Sequence, residues 1–237
     1  MKRHRLPFML LAGLLMPLAQ GQQVGESVTT PYEVLAQNAK GIELRDKVAE
    51  AVTLIRQNKF SESERKLQKV QKKYEASFDR SLLQYSFLSQ LEFDEFKASA
   101  PAPFEWIDWG YKQCLQMQAF IASEHKDFNA ALAILEKVEA LAPVSADTAA
   151  ERGYALNAIG NAKEALAAYE RAFALATRYP SQETYRGAAL RGIGFSLIEL
   201  HQLDEAESRF KQSLELEPDN QVALNELAYI EKLRAKQ

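Results

Sequence analysis

A small residue returns along this chain at a near-constant interval. Ser63, Ala131 and Ala165 are separated by multiples of 34 residues, and Ala206 follows 41 after Ala165. Around each one the chain reads as two amphipathic helices joined by a tight turn. The clearest copy is Gly187–Asn220, GAALRGIGFSLIELHQLDEAESRFKQSLELEPDN. Gly194 and Ala206 stand where the two helices must touch. Leu190, Ile193, Leu197, Phe210 and Leu214 fill the space between them, the turn lies at His201–Leu203, and Pro218 ends the unit. A hairpin of this kind cannot cover its own apolar face, so successive copies must stack and share one core.

Two earlier copies follow the same plan. Lys112–Ser145 carries Leu115, Ala119 and Ala122, a turn at His125–Asp127, then Phe128, Ala131, Leu135 and Val138, with Pro143 at its close. Ala146–Tyr179 carries Gly153 and Leu156, a turn at Gly160-Asn161, then Ala165, Tyr169 and Ala172. Ile42–Ala76 is a looser copy, with Val48, Ala51, Val52, Leu54 and Ile55 before a turn at Asn58-Lys59, and Leu67 and Val70 after it. The seven extra residues before the last copy fall around Tyr179–Tyr185 and predict a longer connection there. Gln221–Lys236 begins one more first helix through Leu224, Leu227 and Ala228. Its other side carries Asn225, Glu226, Glu231 and Lys232, as a terminal cap facing water requires.

These units closely resemble the tetratricopeptide repeat, a helix–turn–helix that recurs about every 34 residues. The resemblance implies an all-α fold, an α-solenoid superhelix with one degenerate aromatic-rich repeat and a C-terminal capping helix. Its repeats would occupy 44–77, 78–111 (degenerate), 112–145, 146–179 and 187–220, with the cap at 221–237 and the whole domain at 42–237. No alternating apolar run predicts a strand.

The first 21 residues read differently. Lys2, Arg3 and Arg5 precede an apolar run, Leu6–Leu18, and Ala19-Gln20-Gly21 offers the small-x-small pattern of a signal-peptidase site. The run is shorter than the roughly 20 residues a membrane span needs. Cleavage near Gly21 is expected, with no stable membrane span after it. No cysteine stands there to carry a lipid, so the expected location is the periplasm. Removing the three basic residues leaves 26 Lys and Arg against 32 Asp and Glu, a mildly acidic mature chain. That argues against a nucleic-acid partner, which calls for a basic face. Residues 22–41 read as a polar linker, with a short helix starting at Thr30-Pro31-Tyr32-Glu33.

Phe78–Tyr111 has the length of one repeat without its pattern. Lys97 falls at the small position and Pro101 at a large apolar one. Both tryptophans and seven other aromatic residues lie here. Two readings stand: a first helix Arg80–Leu91 with a stunted second at Phe93–Ser99, or one helix over Arg80–Lys97. In either, Pro103 opens the helix that follows. Trp106 and Trp109 form either an exposed docking patch for an envelope assembly or part of an aromatic plug.

No catalytic arrangement, cofactor motif or metal-ligand spacing is present. His125 and His201 stand in turns, as surface residues do. The single cysteine, Cys114, cannot form an internal disulfide and reads as a buried thiol; a nucleophilic role is the remote alternative. The resemblance implies a binding role instead, with the first helix of each pair lining a concave groove. The positions that would face it include Gln116, Phe120 and Ser123, then Asp147, Tyr154 and Asn157, then Arg191, Phe195 and Glu199, then Asn225 and Tyr229. Aromatic, arginine and amide groups suit a protein or peptide partner. No lysine stands among them, unlike the clamp with which some members of the family hold a C-terminal carboxylate. The expectation is a non-enzymatic exported scaffold, or adaptor, in the cell envelope.

Overall fold

The computed structural model describes residues 39–100 and 103–235. The expected signal peptide, the linker with its short helix, and Pro101 lie outside the described residues, apart from the linker's last residues, Ala39–Gly41. The described chain forms two compact units, 39–144 and 145–235.

The first unit opens with a 3-10 turn at Ile42–Leu44. It continues through α1 (Arg45–Arg56), α2 (Phe60–Ser77), β1 (Leu83–Tyr85), α3 (Gln90–Ser99), β2 (Phe104–Trp106), α4 (Trp109–Glu124) and α5 (Phe128–Leu141). The second unit holds α6 (Ala146–Ala158), α7 (Ala162–Arg178), a 3-10 helix (Pro180–Tyr185), α8 (Arg186–Glu199), α9 (Leu203–Leu216) and α10 (Gln221–Arg234). Within the units, α1 pairs with α2, α4 with α5, α6 with α7 and α8 with α9.

The pairing follows from helical period. In α1, Val48, Ala51, Val52 and Ile55 are buried, and in α2 Ser63, Leu67, Val70 and Tyr74, each set a single stripe. All four recurring small residues, Ser63, Ala131, Ala165 and Ala206, are fully buried. The exception to alanine is satisfied locally, since the Ser63 hydroxyl donates to the Ala51 carbonyl at 2.8 Å. Each turn holds one left-handed residue, five before the small one: Asn58, Lys126, Gly160 and His201. That conformation lets the chain leave a helix and reverse at once. Side-chain caps start several of the helices, with Asp108, Asp127, Ser145 and Asn220 each accepting from a backbone N–H of the first turn.

The long connection at 179–185 is ordered. It forms the second 3-10 helix, and buried Gln182 accepts a hydrogen bond from the N–H of Ala146 at the start of α6. Tyr185 packs with Ala146 and Ala176.

Segment 78–111 departs from both sequence readings, although α3 contains the short helix expected at Phe93–Ser99. Arg80–Leu91 is not a helix, because β1 occupies its middle and Ser89 caps α3 at Gln90. The sequence predicts no strand, yet β1 and β2 pair in parallel, Leu83 with Phe104 and Tyr85 with Trp106. Strands of three residues are too short to show alternation, and their hydrogen-bond partners come from distant chain. Ser86 N–H donates to Leu141 at the end of α5, and Lys40 N–H donates to Trp106. β2 also delays α4, which begins at Trp109 rather than near Pro103. The rings close on one another. Phe87 is buried against Phe93, Phe96, Phe104 and Trp106, and Trp106 stacks on Phe93 with centroids 4.5 Å apart. Asp108, whose side chain is fully buried, ties the insertion to the helices. It receives Arg45 Nε at 2.7 Å, the Tyr74 hydroxyl at 3.3 Å and Gly110 N–H at 2.8 Å.

In the second unit the ring of Tyr169 on α7 lies against both Gly153 of α6 and Gly192 of α8. A Cβ added at these glycines would come within 2.8 Å and 2.2 Å of it. Gly192→Ala is expected to lower unfolding stability by about 1–3 kcal/mol through overpacking. The change should appear as a lower urea midpoint at unchanged m-value.

Candidate peptide-binding face

The first helices of the second unit carry the face to be tested. Counted from their turns, Tyr154 on α6, Phe195 on α8 and Tyr229 on α10 hold equivalent positions, and Phe120 on α4 holds the same position in the first unit. Tyr154 and Tyr229 are half-buried, while Phe195 is buried and meets Phe210 edge-on at 5.5 Å. Phe195 therefore joins α8 to α9, and its ring is committed to that core. Phe120 is likewise buried.

Arg191 is engaged as well. It is 8% exposed and pairs with Glu217 at 2.9 Å, beyond the end of α9. Asn220 donates to the same carboxylate at 2.7 Å and caps α10 through its own Oδ1. Arg191 thus fastens the α9–α10 turn to α8. Asn225 is exposed, Glu199 is exposed, and Ser123 is half-buried. Gln116 is buried and accepts from the Lys112 ammonium, which also lies 4.4 Å above the Trp109 ring. Trp106 and Trp109 are half-buried; Trp106 belongs to the aromatic cluster.

Asn157 links two first helices. Its Nδ2 donates to the Ser196 hydroxyl at 3.0 Å, and that hydroxyl donates to Gly192 O. Its Oδ1 is buried with no hydrogen-bond partner. Asp147, Glu151 and Glu226, also on α6 and α10, are buried. Sequence reading named Asp147 for the groove and put Glu226 on the water-facing side of the cap, where the structure instead buries it; it did not name Glu151. A carboxylate one turn after Asp147 on the same stripe was the available signal. Burial pushes the Glu226 carboxyl up to about 7.

Cys114 is fully buried, its Sγ donating to Leu67 O at 3.3 Å. Burial pushes the thiol up to about 12, so it stays protonated at neutral pH. Among the described residues no group of His, Cys, Asp and Glu could hold a metal ion, and no helix is long and apolar enough to cross a membrane.

Two outcomes follow. Cys114 should resist a disulfide reagent in the native protein at pH 8 and react fully in guanidinium, as read by absorbance. Glu226 holds its proton more tightly folded than unfolded, so it costs the fold stability as pH rises from about 4.5 to about 7. Glu226→Gln should therefore stabilise the protein by about 1–3 kcal/mol at pH 8 and leave it unchanged near pH 4, measured by urea unfolding.

A family model described as tetratricopeptide repeat matches residues 145–218. No curated protein matches the chain. Solved structures do match its fold. Repeats of a putative kinesin light chain from Podosopora anserina share 16% identity, covering 82% of this chain and 88% of theirs, with a TM-score of 0.57. MamA from Desulfovibrio magneticus RS-1 shares 14%, covering 84% and 88%, with a TM-score of 0.54. The first TPR of Spaghetti (RPAP3), bound to an HSP90 peptide, shares 23%, covering 52% and 93%, with a TM-score of 0.47. Residues 145–218 thus match the tetratricopeptide repeat by sequence, and the paired helices share the fold of solved repeat structures.

Proposed function

We propose that this protein is a non-enzymatic scaffold that binds a peptide segment of another protein on the face of α6, α8 and α10. The observation that carries the reading is a set of partly open polar and aromatic side chains on these first helices, half-buried Asn157 among them. Half-buried Tyr154 stands one turn before it on α6, and exposed Asn225 and half-buried Tyr229 sit on α10. Tyrosine rings are frequent binding anchors, and amides pair with extended backbone. The buried, protonated thiol of Cys114 weighs against its use as a nucleophile.

The same proposal places the protein in the cell envelope, after removal of a signal peptide near Gly21. The basic start, the short apolar run and Ala19-Gln20-Gly21 support this. N-terminal sequencing of the protein from its own cells tests it, and an intact Met1 would refute export by cleavage.

For the face, a photo-crosslinking residue at Tyr154 should trap a discrete adduct in cells, and one at exposed Lys211 should not. Tyr154→Ala with Asn157→Ala should weaken the identified partner by about tenfold or more, with helicity kept. Equal affinity in the double variant would reject this face.

A further inference from the structure

The first unit also contains a cleft of its own. It opens between α2, α4, α5 and β1, with a volume of about 380 Å³. That is within the range of pockets that hold small molecules, roughly 300–1,000 Å³. Phe78, Tyr111, Leu115 and Leu141 give it an apolar lining, with Glu75 on the α2 wall and Lys137 on the α5 wall.

Glu75 is oriented by a chain of side chains. The Tyr111 hydroxyl donates to its Oε1 at 3.0 Å and Gln71 Nε2 donates to the same oxygen at 2.7 Å. Gln118 on α4 donates in turn to Gln71 at 2.9 Å. Both bonds land on one oxygen. The other, Oε2, has no partner among the described residues, and no cation pairs with the carboxylate. Lys137 has no acidic partner either, and the two charges do not pair with each other. A half-buried carboxylate held in place without a cation, facing an apolar lining, is complementary to an ammonium; Lys137 is complementary to an anion.

We propose that this cleft binds a small zwitterion with a large apolar side chain. The ammonium sits on Glu75, the carboxylate on Lys137, and the side chain against Phe78 and Tyr111. A free amino acid and a dipeptide share this chemistry and differ in the span between their charges.

Calorimetry on the full chain, with phenylalanine, the dipeptide Phe-Leu, phenethylamine and 3-phenylpropionate at up to about 10 mM, tests it. One of the two zwitterions should saturate, which identifies the span, and each singly charged probe should bind about tenfold more weakly or worse. Glu75→Gln keeps an acceptor for Tyr111 and should weaken the zwitterion by about tenfold while abolishing phenethylamine binding. Lys137→Met should weaken the zwitterion and leave phenethylamine unchanged. Lys137 is exposed, so this variant decides the matter even if Glu75→Gln disturbs the fold. No saturation by either zwitterion, or identical binding in wild type and Lys137→Met, overturns the proposal.

Discussion

The close approach of two helices at a small residue is the contact on which everything else here rests. Ala131, Ala165 and Ala206 carry no side chain beyond a methyl group, and all are fully buried. Large rings then reach across to the facing helices. Tyr169 lies against Gly153 and Gly192, and Phe210 against Gly194, where an added Cβ would come within 2.6 Å. Dispersion falls steeply with separation, so a hairpin held this close loses much of its attraction if spread by even one methyl. The left-handed residue in each turn supplies the reversal that brings the small position under its partner.

That geometry also decides which residues remain for recognition. A first helix has one side against its own partner and another against the next pair. Phe195 and Arg191 are drawn into those contacts, through Phe210 and Glu217. Tyr154, Asn225 and Tyr229 are not buried to the same degree. Equivalent positions along the chain thus have unequal roles, and the difference comes from what each neighbour offers. Within the one repeat 187–220, the neighbour is a ring for Phe195 and an acid for Arg191.

The aromatic insertion shows a different way to keep hairpins together. Where the repeat pattern fails, between α2 and α4, a three-residue parallel ladder and a cluster of rings fill the gap. Asp108 then joins it to α1 and α2 through Arg45 and Tyr74. The start of α3 was in fact legible. Ser89 and Glu92 stand three apart, and Glu92 N–H donates to the Ser89 hydroxyl while the Glu92 carboxylate receives Leu88 N–H, a variant of the capping box. The strands were not, since no three-residue run announces partners twenty residues away.

Spacing, period and turn chemistry are local properties, and they determined the hairpins, their turns and the repeat family from the order of residues alone. Ser63, Ala131, Ala165 and Ala206 were recognisable because a helix places equivalent residues on one side at a set interval. Only the tertiary structure decided that Arg191 grips Glu217, that Asn157 keeps an empty acceptor, and that Glu75 and Lys137 stand on two walls of one cleft. Each of these depends on groups far apart in sequence, or on a bond left unmade. Neither has a periodic trace, because electrostatic and hydrogen-bond partners are chosen by position in space.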